Sequence, residues 1–276
     1  MPAPPPIPRR PVCAIRCHAS FEARYSDITA LRDEPSPPPA PPLPARFLRH
    51  CDEHTVVAVR AVLAAISTLS PPIDFTRCGV IAAPCQAGRI ATARSLAQLR
   101  VGGGVMVSPH IVPQCSLHSL AGALSVALGM HGPHFGVGGG PDALSEGLFA
   151  ALSLFESGAA AGCDAAWLIV TEWAAEPVLD ATGAPTDDPV CRALAMLVAP
   201  AAVAHPAQLT LALHAATDGV ASARGDLASF TRALEMCASG SALAAWSLTC
   251  PWGAQIRVAA GPLARSKPGM PLRAAA

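Results

Sequence analysis

The chain has 276 residues, 51% of them apolar and 14% charged, with zero formal net charge. That supplies a sizeable core and lacks the clustered basic surface a nucleic-acid binder needs. Its ten cysteines follow no spaced framework, which points to reduced thiols; the N-terminus has no apolar leader and no apolar run reaches the roughly 20 residues that cross a bilayer, so a cytoplasmic protein without a membrane span is expected.

Residues 1–11 are proline-rich, and residues 34–45 form a second proline cluster that reads as an extended or polyproline-type loop. Between them, residues 12–33 predict an edge strand and a short connection, so residues 1–45 are expected to form a proline-rich N-terminal segment. A main domain then runs over residues 46–260. Apolar residues at helical spacing predict a helix over 52–66, with Val56, Val59, Leu63 and Ile66 on one face, followed by a buried strand over 78–83. Helices are expected over 90–99 and 115–128, separated by a glycine loop at 102–104. A short strand at 135–137 is bounded by glycines, and Pro141 suits the first position of a helix because its missing N–H has no partner there. Leu144, Leu148, Ala151, Leu152 and Phe155 continue that helix to residue 157. Further strands are predicted over 165–171, 192–198 and 255–259. Residues 208–214 alternate apolar and polar, and residues 226–237 form an amphipathic helix; a flexible tail covers 261–276. Strands alternating with helices indicate an α/β layered architecture.

The centre of interest is the elbow Val137, Gly138, Gly139, Gly140, Pro141, Asp142, which presents a helix N-terminus with unpaired N–H groups. Upstream stand Ser108, Pro109 and Pro113, a small-residue helix with Ala121, Gly122, Ser125 and Gly129, and the pair Gly132–Pro133. Downstream, Gly162 and Asp164 precede an apolar strand, and Glu172 follows it. Over residues 43–199 this pattern resembles the β-ketoacyl synthases, whose elbow carries a nucleophilic cysteine. Here Pro141 occupies that place. Proline cannot be acylated, so a covalent thioester has no anchor. His205 and His214 match neither histidine context of the family's second half, and only about 80 residues remain for that half.

The resemblance implies a thiolase-like α/β fold, with helices packing on a mixed sheet and a shortened second half, like ketosynthase-like N-terminal-domain proteins and chain-length-factor subunits. It further implies a non-catalytic partner in fatty-acid-like, polyketide or aryl polyene biosynthesis, without cofactor. An active ketosynthase would supply the cysteine and histidines in a heterodimer, and an acyl carrier protein would deliver substrate. Met130, His134, Phe135, Gly138, Gly139, Gly140, Leu144 and Leu148 are the expected tunnel or interface residues.

Cys85 follows a strand and precedes a helix, the setting of a reactive thiol, and makes a thiol enzyme the first alternative. A stand-alone acyl or carrier-protein binding module is the second. Cys115, His118, His131 and His134 imitate zinc-ligand spacing, but an apolar helix separates the two halves of the pattern, and no metal site is expected. The glycines at 136 and 138–140 suit phosphate, yet no Gly-Lys-Ser/Thr follows. The prolines at 37–44 read as a solvated loop before they read as a partner's ligand.

Overall fold

A computed structural model describes residues 12–109, 111–156, 162–201, 209–214, 225–239 and 245–260. Eight strands form one mixed sheet: β1 (Val12–Arg24), β2 (Cys78–Pro84), β3 (His134–Gly136), β4 (Ala165–Trp173), β5 (Val190–Pro200), β6 (Leu209–His214), β7 (Ala245–Thr249) and β8 (Gln255–Ala260), in the order β3-β2-β4-β5-β1-β6-β8-β7. β3, β2 and β4 are parallel, and every other neighbouring pair is antiparallel. The helices are α1 (Ile28–Leu31), α2 (Glu53–Ser67), α3 (Arg89–Gly102), α4 (Ile111–Cys115), α5 (Ser119–Leu128), α6 (Ala143–Glu156) and α7 (Leu227–Ala238).

Both faces of the sheet are covered, which explains why β4 is apolar along nearly its whole length. Trp167 and Ile169 pack with α2 and α5, whereas Ala166, Leu168 and Val170 pack with α6 and α7. The alternation follows from the two-residue period of a strand. Helix α2 lies inside the first of these cores: Asp52 caps it by accepting from Thr55 N at 3.0 Å, and every residue from Glu53 to Leu63 is buried. Arg60 in its middle is 4% exposed and donates to the carbonyls of Leu31, Glu34 and Pro35. A buried guanidinium thus holds the proline-rich loop against the core, because an unpaired charge there would be costly.

Four expectations need correction. The strand beginning at Val12 is not an edge: it pairs along its length with β5, and Val12 to Ile15 also pair with β6. The expected helix over 115–128 is broken into α4 and α5 by the turn at Ser116–His118. Pro141 precedes helix α6, whose first bond runs from Glu146 N to Asp142 O at 3.0 Å. Strand β7 was not expected at all. Residues 1–11, His205 and the tail 261–276 lie outside the described residues.

The approach of α6 to the sheet depends on one missing side chain. A Cβ on Gly147 would lie 2.6 Å from the Ala83 Cβ and 3.2 Å from Leu168 Cδ1. Only glycine lets the helix sit this close to β2.

Candidate functional site

The elbow lies where β3, the edge strand, ends beside the C-terminal end of β2, the region of an open α/β sheet where ligand sites gather. Val137 N donates to Ala82 O at 2.8 Å, Cys85 and Gly139 form a parallel bridge, and Gln86 N donates to Gly139 O at 3.2 Å. These bonds tie the glycine turn to the end of β2. Gly138 and Gly139 have φ of 84° and 100°, and a Cβ on Gly138 would meet Ala143 at 2.9 Å, so the turn requires glycine there. That same Cβ would lie 3.5 Å from Glu146 Oε2. The first-turn carboxylate therefore sits over the turn, facing the positive end of α6. Pro141 is exposed at the tip and brings no nucleophilic atom.

The expected tunnel residues do not converge. Met130 is 4% exposed and packs in the core with α2 and α5, whereas Leu144 and Leu148 belong to the core on the opposite face of the sheet. The strand between them separates the two groups. His134 is exposed, and Phe135 and Gly138 to Gly140 are half-buried, so only the edge strand and turn present candidate residues to the surface.

Cys85 is half-buried, and its N–H donates to Thr171 O at 2.7 Å. Burial, and then the Glu172 carboxylate, push its thiol above the ordinary range. Burial likewise raises Glu172, with Asp226 adding to the effect. Activated thiols have the opposite environment, with nearby positive charge.

Behind Thr171 lies a buried polar cluster that the sequence reading overlooked. His54, 1% exposed on α2, shares a 2.7 Å hydrogen bond between Nδ1 and Thr171 Oγ1, and its ring stands edge-on to Trp173 at 5.5 Å. Among the described residues its Nε2 has no hydrogen-bond partner. Burial lowers the His54 pKa, with Asp52 opposing. Asp52 itself links the cap of α2 to the start of α3 by accepting from Gly88 N at 3.2 Å. The histidine in Asp52-Glu53-His54-Thr55 was the available signal, but its partner is 117 residues away.

Of the four residues with zinc-like spacing, two come together. The His118 and His134 ring centroids are 5.1 Å apart. Cys115 instead turns inward, with Sγ 3.6 Å from Gly88 O and accepting from Thr92 Oγ1 at 3.2 Å. Among the described residues no group of three His, Cys, Asp or Glu is placed to hold an ion, and no helix is long and apolar enough to cross a membrane.

The surface beside the edge strand is unusual. Leu96, Leu99, Val105, Met106, Val112 and Val126, on α3 to α5 and the turn at Gly104–Met106, are all 45–96% exposed. From residue 96 to 126 the only charged Asp, Glu, Lys or Arg is Arg100. Helix α5 packs against β3, and α4 joins α5 to α3, so this charge-poor surface continues from the open sheet edge.

No protein-family model and no curated protein sequence matches the chain. Among solved structures, it is similar to a chain of the AntDE:AntF complex, a type II polyketide synthase acyl-carrier protein with its ketosynthase bound to the hexaketide. The TM-score is 0.52 at 15% identity, covering 83% of this chain and 73% of that one. It is also similar to a chain of the ketosynthase ApeO in complex with its chain length factor ApeC from Xenorhabdus doucetiae, with TM-score 0.50 and 16% identity, covering 89% of this chain and 99% of that one. The chain therefore has the thiolase-like fold of ketosynthases and chain length factors, as the resemblance at the elbow implied.

Proposed function

We propose that this chain is a non-catalytic ketosynthase-like subunit that pairs with an active ketosynthase and helps to shape the space holding its acyl chain. The observation that carries the reading is an intact elbow without a nucleophile: glycines with positive φ, a tight seam to β2 and a following helix are retained, while Pro141 stands at the tip and Glu146 covers the turn. The raised thiol of Cys85 argues against a replacement nucleophile.

The partner surface in this reading is the β3 edge together with the charge-poor face of α3 to α5. Unpaired strand edges recruit other strands, and a large exposed apolar patch marks an interaction site. His134, Phe135 and Gly138 to Gly140 then form this subunit's contribution to the tunnel wall. The partner supplies the thiol and histidines, a carrier protein delivers the acyl group, and the complex works in a fatty-acid-like, polyketide or aryl polyene pathway in the cytoplasm.

Co-expression of the full chain with the active ketosynthase of its own host, followed by size-exclusion chromatography with light scattering, tests the pairing. A one-to-one complex is expected, weakened at least about tenfold by the double substitution Val105→Asp/Val126→Asp, with unchanged circular dichroism. Separate migration of both proteins overturns the pairing. Intact-mass measurement after loading with acyl carrier protein tests the chemistry: the acyl adduct belongs on the partner, and an adduct on this chain overturns the non-catalytic assignment.

A further inference from the structure

We propose that His118 and His134 form a two-imidazole site for a borderline divalent transition-metal ion, with Cu(II) and Ni(II) as the best-suited ions. This does not depend on the partner reading. Imidazole nitrogen suits copper, nickel and zinc, whereas the harder alkaline-earth ions prefer oxygen.

The geometry supports a shared ion. With a metal–nitrogen bond of about 2.0–2.1 Å, each ring centroid lies about 3.2 Å from the metal, so two imidazoles at a nitrogen–metal–nitrogen angle between about 90° and 110°, the range from tetragonal to tetrahedral coordination, have centroids about 4.5–5.2 Å apart. The observed separation is 5.1 Å, with the rings tilted by only 34°. Both rings are exposed, which leaves access for the ion and for the waters that complete its coordination.

Two backbone features prepare the pair. His134 Nδ1 lies 3.4 Å from Gly132 O, and since a carbonyl only accepts, that contact places the proton on Nδ1 and the free lone pair on Nε2. Metal-binding histidines commonly use their second nitrogen this way, which fixes tautomer and ring orientation. On the other side, the His118 ring lies over the first turns of α5 at Gly122, where a Cβ would stand at an ordinary contact distance of 3.5 Å from its Nε2. The site joins α5 to the edge strand, two elements that already pack together, so an ion would clasp them without a large rearrangement.

Chelator-treated full-length protein titrated with Ni(II) or Cu(II) in a calorimeter is expected to bind one ion per chain, with Cu(II) showing nitrogen hyperfine structure in its electron paramagnetic resonance spectrum. His118→Ala and His134→Ala should each weaken binding about tenfold or more, and His131→Ala should leave it unchanged. Because the three positions are exposed, melting temperatures measured in chelator should stay alike and exclude misfolding as the cause. Absence of saturable binding, binding that survives both substitutions, or binding that equally requires His131 would each overturn the proposal.

Discussion

Helices α2 and α3 are nearly equal in length but differ in surroundings: α2 buries thirteen of its fifteen residues, and α3 buries Ile90 alone. In α2 the buried polar side chains reach for internal partners: Arg60 holds three carbonyls and His54 holds Thr171. In α3 the outward Leu96 and Leu99 remain 55% and 45% exposed. The enclosed helix contributes to the stability of the fold, and the uncovered one belongs to the surface proposed above for a partner.

Several substitutions can break that contrast. Arg60→Ala should have the largest effect, a loss of about 3–5 kcal/mol in urea unfolding, because three part-buried carbonyls lose their donor and the proline loop loses its anchor. A loss below about 1 kcal/mol would mean that water replaces the guanidinium. Gly147→Val should cost about 2–3 kcal/mol by forcing α6 away from β2. The same measurement with Gly147→Ala should give a smaller loss, since fewer atoms must be accommodated.

The enclosed helix also predicts a pH dependence. Burial lowers the folded-state pKa of His54, so above the unfolded histidine value of about 6.5 both states are neutral and stability is complete. As pH falls below that value the unfolded state takes up the proton first, and stability drops by at most about 1.4 kcal/mol per pH unit until the folded value is reached. His54→Gln should flatten the slope. Burial also lowers His18, which adds to the slope, whereas Glu53 and Glu172, raised by burial, bind protons first in the folded state and oppose it; a slope untouched by His54→Gln would show that His54 does not carry it. Last, Leu96→Lys/Leu99→Lys should change stability by no more than about 0.5 kcal/mol, while removing the ketosynthase complex in chromatography.

The elbow was legible because its evidence is local: glycines at the turn and apolar residues at helical spacing lie within some twenty positions. The place of β1 was not. It was expected as an edge strand, but strand order is set by partners such as Leu194 and Met196, far along the chain. The resemblance put Met130 and Leu148 together as tunnel or interface residues, yet β3 lies between them and the chain crosses from one face of the sheet to the other. His54 escaped notice for a similar reason, as nothing near it in sequence announces Thr171. The His118–His134 contact was half visible, since the spacing drew attention to four residues but could not show which two would meet.

The two borders of the sheet differ in a way that governs self-association. β3 offers three residues and ends in a glycine turn, while β7 at the far side offers five. Head-to-tail stacking of β3 on the β7 of the next copy would repeat without closing and grow into filaments, whereas joining through β3 alone stops at two chains. A border this short provides few backbone bonds for such growth, so an uncovered β3 side carries little risk of runaway polymerisation.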